Sequence, residues 1–423
     1  MDLDARGSAG HAEPRPVRIV RIITRLNIGG PSIHVSLLSR RLRPPAYETV
    51  LITGQPDESE GDMSYLLSEA AVRRVTLSSL KRPVNLWADA RAWWRIFRII
   101  QRERPTVVHT HMAKAGALGR TAAMVHNALA RLRSWMRGEP FQGCRIIHTF
   151  HGHVLEGYFS PQRTKLFIMI ERWLARGSDH LVAVSRTVRD DLLALGIGTS
   201  QQWRVIPLGV DLSSFETLPL PNGVLPLRVG LVGRLVSIKH PTLFLDAFAQ
   251  FGRQQEGVQL TGLVVGDGPL RASLEREVRE LGLEGVVRFL GWQEDLREVY
   301  AKLDITCLTS WNEGTPLALI EAMAAGRAVI ATDVGGVRDV LGESHVTAPL
   351  AAGMCHIGKR GILVRPGDVQ GLVAAFEAVA CDVGLRQRLG VEARAFVTEH
   401  FTAERLVSDI TALYDTLLKR RET

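Results

Sequence analysis

Cysteine is scarce in this chain and nowhere paired by spacing. Its four cysteines, Cys144, Cys307, Cys355 and Cys381, are scattered over 423 residues. They offer neither a zinc-binding spacing nor a disulfide framework, and their free state fits a reducing, cytoplasmic setting. Long apolar runs are also missing: nothing approaches the roughly 20 residues of a bilayer-spanning helix. The first residues are polar and contain Gly and Pro, so residues 1–16 read as a disordered tail rather than a signal peptide. Two nucleotide-site signatures are lacking as well. No G-x-G-x-x-G follows the first strand, which disfavours a dinucleotide dehydrogenase. No Asp-x-Asp sits at a strand end to carry a divalent ion with a nucleotide, so no metal is expected.

What remains is a globular composition, 46% hydrophobic and 23% charged, long enough for two or three domains. The formal net charge is +8. An excess of that sign calls for an acidic partner, whether nucleic acid, anionic lipid or a phosphorylated substrate, or serves solubility alone. Two stretches combine the cations with aromatics. Trp87, Trp93, Trp94 and Phe97 lie among Arg91, Arg95 and Arg98, and residues 128–143 read ALARLRSWMRGEPFQG. Each reads either as a helix with one face on a sheet or as a contact with an anionic membrane surface.

Short apolar strands alternate with helical patterns in both halves. ETVLIT, TVVHTH, RIIHTFHG and HLVAVS read as buried parallel strands in the first, and GLVVGDG, VRFLG, ITCLTS and AVIATD in the second. The fold class is therefore α/β, with two Rossmann-like domains and parallel sheets facing a central cleft. A Pro-, Gly- and Ser-rich stretch at residues 207–226 marks the boundary. The expected division is 17–210 for the first domain and 211–401 for the second.

Candidate site residues fall at strand ends. Gly29-Gly30 follows the first strand and lets backbone approach a ligand. Gly233-Arg234, with Lys239 five residues on, puts two cations on one strand-to-helix loop, where they can straddle a pyrophosphate. In WNEGTPLALIEAMAAGRAVIATDVGG, residues 311–336, Thr315 reads as a helix N-cap, Pro316 as the first helical residue and Gly326 as the helix end. The free amides of that helix start form an anion site. Glu313 and Glu321 flank it, placed to accept hydrogen bonds from hydroxyls beside a phosphate. They face different parts of an extended ligand, which argues against a glycosidase acid–base pair. His109 and His111, then His148, His151 and His153, sit at two further strand ends. They could supply zinc ligands, but without a carboxylate or cysteine at matching spacing that reading is weak. His151, followed by Gly152, is the best functional candidate.

Together, Glu313-x7-Glu321, Gly233-Arg234 with Lys239, Gly29-Gly30, VVGDGP at 264–269 and VIPLGVD at 205–211 resemble the retaining glycosyltransferases of family 4, from about Arg18 to about Leu418. The phrases NIGGPSIHVSLL, HTHMAKAGALGR and HTFHGHVLEGYFSP resemble bacterial members that build surface polysaccharides and glycolipids. The resemblance implies the GT-B fold, with the last helix, 402–419, crossing back to the first domain. It implies a nucleotide-diphosphate sugar as donor, a saccharide or polyprenyl-linked acceptor, and no cofactor, metal or nucleic acid. It places the protein in the cytoplasm, with the inner face of the plasma membrane as a surface it could touch.

The same resemblance implies roles. Arg234 and Lys239 grip the donor diphosphate, and Glu321 binds the ribose hydroxyls. Glu313 binds hydroxyls of the donor sugar, and His151 lies by the anomeric carbon. Gly29, Gly30, Gly233, Gly266 and the stretch Gly314, Thr315, Pro316, Leu317 line the donor. One departure is the segment SHVTAPLAAGMCHIGKRG, longer than the usual connection and a candidate loop over the donor pocket. The rival expectations are a nucleotide-sugar epimerase or hydrolase on the same fold, and a basic nucleic-acid- or lipid-surface-binding protein.

Overall fold

The structure, a computed structural model, describes residues 16–57, 61–67, 72–152, 160–223, 226–254, 260–343 and 350–419. The expected tail lies almost wholly outside the described residues, as does His153. Fourteen strands, labelled here β1 to β14, form two sheets among the described residues. The first contains β1 (Val17–Ile23), β2 (Tyr47–Thr53), β3 (Arg73–Thr76), β4 (Val107–His111), β5 (Arg145–Phe150), β6 (His180–Ala183) and β7 (Trp203–Val205). Its order is β3-β2-β1-β4-β5-β6-β7, and every pairing is parallel. The second contains β8 (Leu227–Val232), β9 (Leu260–Val265), β10 (Val287–Gly291), β11 (Ile305–Leu308), β12 (Ala328–Thr332), β13 (Cys355–Ile357) and β14 (Ile362–Val364). Its order is β10-β9-β8-β11-β12-β14-β13, parallel except for β13 against β14.

Each sheet reverses its winding once, between β1 and β4 and between β8 and β11. Such a switch point opens a crevice at the carboxyl ends of the strands. The strands are covered on both faces, which is why they read as continuous apolar runs. In the first lobe, helices Leu86–Glu103 and Ala113–Arg137 pack on one face through Ala92, Ile96, Phe97, Ala122 and Ala123. On the other face, helix Gly30–Arg41 supplies Leu38, and the terminal helix Ala403–Lys419 supplies Leu406, Ile410, Leu413, Tyr414 and Leu417. The last helix thus crosses back to the first lobe, as the resemblance implied. The chain passes between lobes twice at one place. Val210 N–H donates to the Phe401 carbonyl at 2.9 Å and Ala403 N–H to the Val210 carbonyl at 3.0 Å.

Two local expectations are corrected. The helix after Glu313 runs Leu317–Ala324 with Pro316, not Thr315, as its N-cap, and no side chain caps it. The Thr315 hydroxyl instead donates to the Val184 carbonyl of the first lobe at 3.2 Å. The cross-lobe bond directs the Thr315 side chain toward the first lobe, and the helix starts one residue later. The long connection does not read as a plain loop either. Its residues 344–349 lie outside the described residues, but Cys355–Ile357 adds an antiparallel edge strand to the second sheet.

Candidate active site

In the second lobe, β8 is followed by Gly233, whose φ of +154° favours glycine. The loop that follows is pinned to the one after β9, where Leu235 N–H donates to the Asp267 carbonyl at 2.9 Å. A Cβ on Gly266 would stand 2.0 Å from the Gly233 carbonyl oxygen, so this approach excludes any larger residue. Lys239 closes a short turn, Ser237–Lys239. Its Nζ donates to Glu313 Oε1 at 2.5 Å, and the same oxygen accepts from the Ser310 hydroxyl at 2.5 Å. The Lys239 carbonyl accepts from Thr309, and the Ile238 carbonyl from Trp311 N–H, so the loops after β8 and β11 hold each other in place. Two residues assigned from sequence to different parts of a ligand are therefore paired with one another. Glu313 is buried, and a buried carboxylate needs such a partner.

Glu321 lies in the second turn of helix Leu317–Ala324, buried, with Tyr300 Oη 3.1 Å from its Oε2. Burial raises its pKa to about 7, although the Tyr300 hydrogen bond pulls the other way. Tyr300 itself is pushed well above its usual value by burial and by the nearby Glu321 charge. Leu319 N–H bonds the Pro316 carbonyl at 3.1 Å, while the Leu317 and Ala318 amides, at the helix start, have no helical carbonyl before them to bond.

In the first lobe, the chain leaves β1, turns through Gly29 at φ +150° and enters helix Gly30–Arg41. Three imidazoles from separate elements meet beside that turn: His34 from this helix, His111 from the end of β4 and His151 after β5. One nitrogen from each lies within 4.8 Å of the others, a donor set able to hold a transition-metal ion. His111 Nδ1 and His151 Nε2 are 3.1 Å apart. Burial keeps all three neutral, holding His34 and His111 well below 6.5 and His151 at about 3. A neutral imidazole exchanges hydrogen bonds with hydroxyls rather than carrying charge. His109 and His148 serve the fold instead. His109 bonds Tyr414 Oη at 2.7 Å and Thr149 Oγ1 at 2.8 Å, and His148 bonds Thr110.

The two constellations face each other. A Cβ on Gly314 would lie 2.1 Å from the His151 carbonyl oxygen, and one on Gly152 would lie 3.4 Å from Gly314 Cα. A Cβ on Gly30 would lie 3.5 Å from a Leu317 methyl. Asp339 of the second lobe caps a first-lobe helix, Arg186–Ala194, by accepting from Arg186 N–H at 2.8 Å and Thr187 N–H at 3.4 Å. The structure thus brings Gly29, Gly30, His151, Glu313, Gly314, Thr315 and Leu317 to one interlobe crevice, with Lys239 tied to it through Glu313. Glu321 lies one helix turn deeper. Gly233 and Gly266 shape the loop that carries Arg234. Four residues of the crevice escaped the sequence reading: His34, Ser310, Tyr300 and Asp339. Only His34 had a signal, its place just after Gly29-Gly30; the others depend on long-range contacts.

Comparison with known proteins agrees with the two-lobe fold. Residues 28–214 match the family profile described as Glycosyltransferase Family 4, and residues 226–382 the one described as Glycosyl transferases group 1. The chain belongs to glycosyltransferase family 4. The transferase is 26% identical over 276 residues to the UDP-Gal:alpha-D-GlcNAc-diphosphoundecaprenol alpha-1,3-galactosyltransferase of Escherichia coli, a match covering 63% of this chain and 67% of that one. It is 27% identical over 315 residues to a sulfoquinovosyl transferase of Arabidopsis thaliana, covering 71% of this chain and 54% of that one. Against the MMP alpha-(1->4)-mannosyltransferase of Mycolicibacterium hassiacum it is 26% identical over 437 residues, covering 94% and 97%. Among solved structures, Anabaena HepE in complex with UDP superposes with a TM-score of 0.69 at 20% identity, covering 94% of this chain and all (100%) of that one. Sucrose-phosphate synthase from Thermosynechococcus elongatus superposes at 0.73 with 22% identity, covering 95% and 100%. At these identities the structures show a shared fold.

Proposed function

We propose that this transferase moves a sugar, with retention at the anomeric carbon, from a nucleotide-diphosphate sugar to a lipid-linked saccharide in surface polysaccharide or glycolipid synthesis. The observation that carries the reading is the apposition of Gly314 and the following helix start to His151 and the Gly29-Gly30 turn. Phosphate at that helix start would meet free amides, and hydroxyls on either side would meet Glu313 and Glu321. Arg234 and Lys239 would flank the diphosphate. Lys239 has three donors, so it can serve a phosphate oxygen while still bonding Glu313. As the glycosidic bond to the donor phosphate breaks, charge gathers on the diphosphate, and these cations and amides stabilise it. The departing phosphate oxygen takes the acceptor proton on the same face, which gives retention. Neutral His151 positions sugar hydroxyls beside the anomeric carbon. The closed lobes keep water from the reacting sugar.

The acceptor class rests on two supports. The Escherichia coli relative is named for a diphosphoundecaprenol-linked acceptor. The outer face of helix Leu86–Glu103 exposes Trp87, by 89%, and Trp94 beside Arg91, Arg95 and Arg98. Asp89, on the same helix, is tied to Lys114. That face suits peripheral contact with an anionic bilayer. Among the described residues no helix is long and apolar enough to cross one.

The test is a mass-spectrometric screen of nucleotide sugars against polyprenyl-linked and soluble acceptors, with the product anomer read by NMR and a chelator arm. Transfer to a lipid-linked acceptor, with retained configuration and no loss on chelation, is the expected result. A free sugar or an epimer from donor alone, or an inverted product, would overturn it.

A further inference from the structure

At the opposite edge of the first sheet from the crevice, where β5 begins, a cavity of about 380 Å³ opens between the middle of helix Ala113–Arg137 and the end of helix Pro161–Arg176. Arg131, Arg145 and Arg176 line it, with Phe141 and Met124. One carboxylate shares it. Asp179 accepts from Arg145 Nη1 at 3.0 Å and from Ile146 N–H at 2.7 Å. Three arginines thus line the cavity beside one carboxylate, which Arg145 and the Ile146 amide already engage. Arg145 Nε is buried without a partner among the described residues. The Arg131 guanidinium lies over the Phe141 ring, 5.2 Å from its centroid.

The rim is apolar and exposed. Trp135, one helical turn beyond Arg131, is 82% exposed, and Met136 follows it. On the neighbouring helix, Leu166, Met169, Trp173 and Arg176 recur at helical spacing on one face, with Trp173 52% exposed. A free anion would use the arginines but leave the Trp and Met side chains in water. A phospholipid uses both: its phosphate meets the guanidinium groups in fork geometry, and the rim enters the region below the headgroups.

We infer that this cavity binds the phosphate headgroup of an anionic phospholipid and anchors the first lobe to the bilayer. The inference rests on the membrane contact proposed above and adds a built site to it. Helices Leu86–Glu103 and Ala113–Arg137 pack side by side on the same face of the sheet, where Trp93 Nε1 donates to Thr121.

The test uses the full chain. Soluble dihexanoyl phosphatidylglycerol is titrated against it by tryptophan fluorescence. Partition is measured onto vesicles of phosphatidylcholine with and without phosphatidylglycerol. Saturable binding of the soluble lipid is expected, abolished in Arg176→Gln and unchanged in Arg95→Gln. Vesicle binding should need phosphatidylglycerol and fall about fivefold or more in Arg176→Gln. Trp135→Ser and Trp173→Ser should weaken vesicle binding. Unchanged urea unfolding midpoints in every variant would show that the first lobe remains folded. Vesicle binding without saturable binding of the soluble lipid would overturn the cavity and leave the membrane contact standing. No vesicle binding at all would remove both. Displacement by inorganic phosphate at equal concentration would reassign the cavity to a free anion and overturn the lipid.

Discussion

Lys239 and Glu313 lie 2.5 Å apart, with Ser310 on the same carboxylate oxygen. If this cation steadies the leaving diphosphate, Lys239→Ala should lower kcat/KM roughly a hundredfold or more, and Arg234→Ala likewise. A urea titration should be run alongside, because truncating Lys239 also leaves Glu313 buried without its counter-charge. Near-normal turnover in both variants would reject the diphosphate assignment. Glu321 makes a pH prediction. Its folded pKa of about 7 stands above the ordinary 4.5, so the folded chain holds a proton that the unfolded chain loses between those values. Stability therefore falls as pH rises from about 4.5 to about 7. Glu321→Gln should be more stable than the parent above about pH 7, with the gap closing below 4.5. If ribose hydroxyls prefer the carboxylate, nucleotide-sugar affinity should rise through pH 7 in the parent and stay flat in Glu321→Gln. Flat affinity in the parent would remove Glu321 from the donor site. The sequence reveals that Glu321 sits near a helix start. It does not reveal the burial and the Tyr300 contact that shift its titration, since Tyr300 is brought in by a separate helix.

Between elements, the crevice depends on glycines where two loops touch. Gly314→Ala would drive a methyl group into the His151 carbonyl oxygen, 2.1 Å from the new Cβ, and the lobes must part to relieve it. Transfer should drop while nucleoside-diphosphate binding to the second lobe persists, as isothermal titration can show; full activity would mean that this closed apposition is not the reacting one. The terminal helix offers a second test. Tyr414 Oη lies 2.7 Å from His109 Nδ1 and 3.3 Å from Arg21 Nη2, and Arg21 is wholly buried with its other guanidinium nitrogens unpartnered among the described residues. Tyr414→Phe removes the hydroxyl from both, at a cost of about 1–3 kcal/mol. Urea unfolding checks this, and an unchanged midpoint would show that water replaces the hydroxyl. Elements were legible because helical period and strand runs are local. The displaced helix start at Pro316 was not, because the partner that holds Thr315, the Val184 carbonyl, belongs to the other lobe.

Across the whole molecule, histidine burial sets the acid limit. His34, His109, His111, His148 and His151 are kept neutral, the last with a pKa of about 3, against 6.5 for the unfolded chain. Their contribution is complete above pH 6.5 and is lost progressively below it, because the unfolded chain takes up protons that the folded one refuses. Thermal unfolding should shift downward as pH falls below 6.5, with first-lobe signals leading, and a flat profile would contradict the burial of this cluster. Sequence alone settled the two-sheet α/β architecture, because period and apolar runs act over a few residues, whereas the returning last helix was legible only through the family resemblance. Tertiary structure alone decided that Lys239 pairs with Glu313, that His34 joins His111 and His151, and that arginines from two helices and a strand surround one cavity. These pairings join residues far apart along the chain, and only the packing of sheets and helices sets the distances between them.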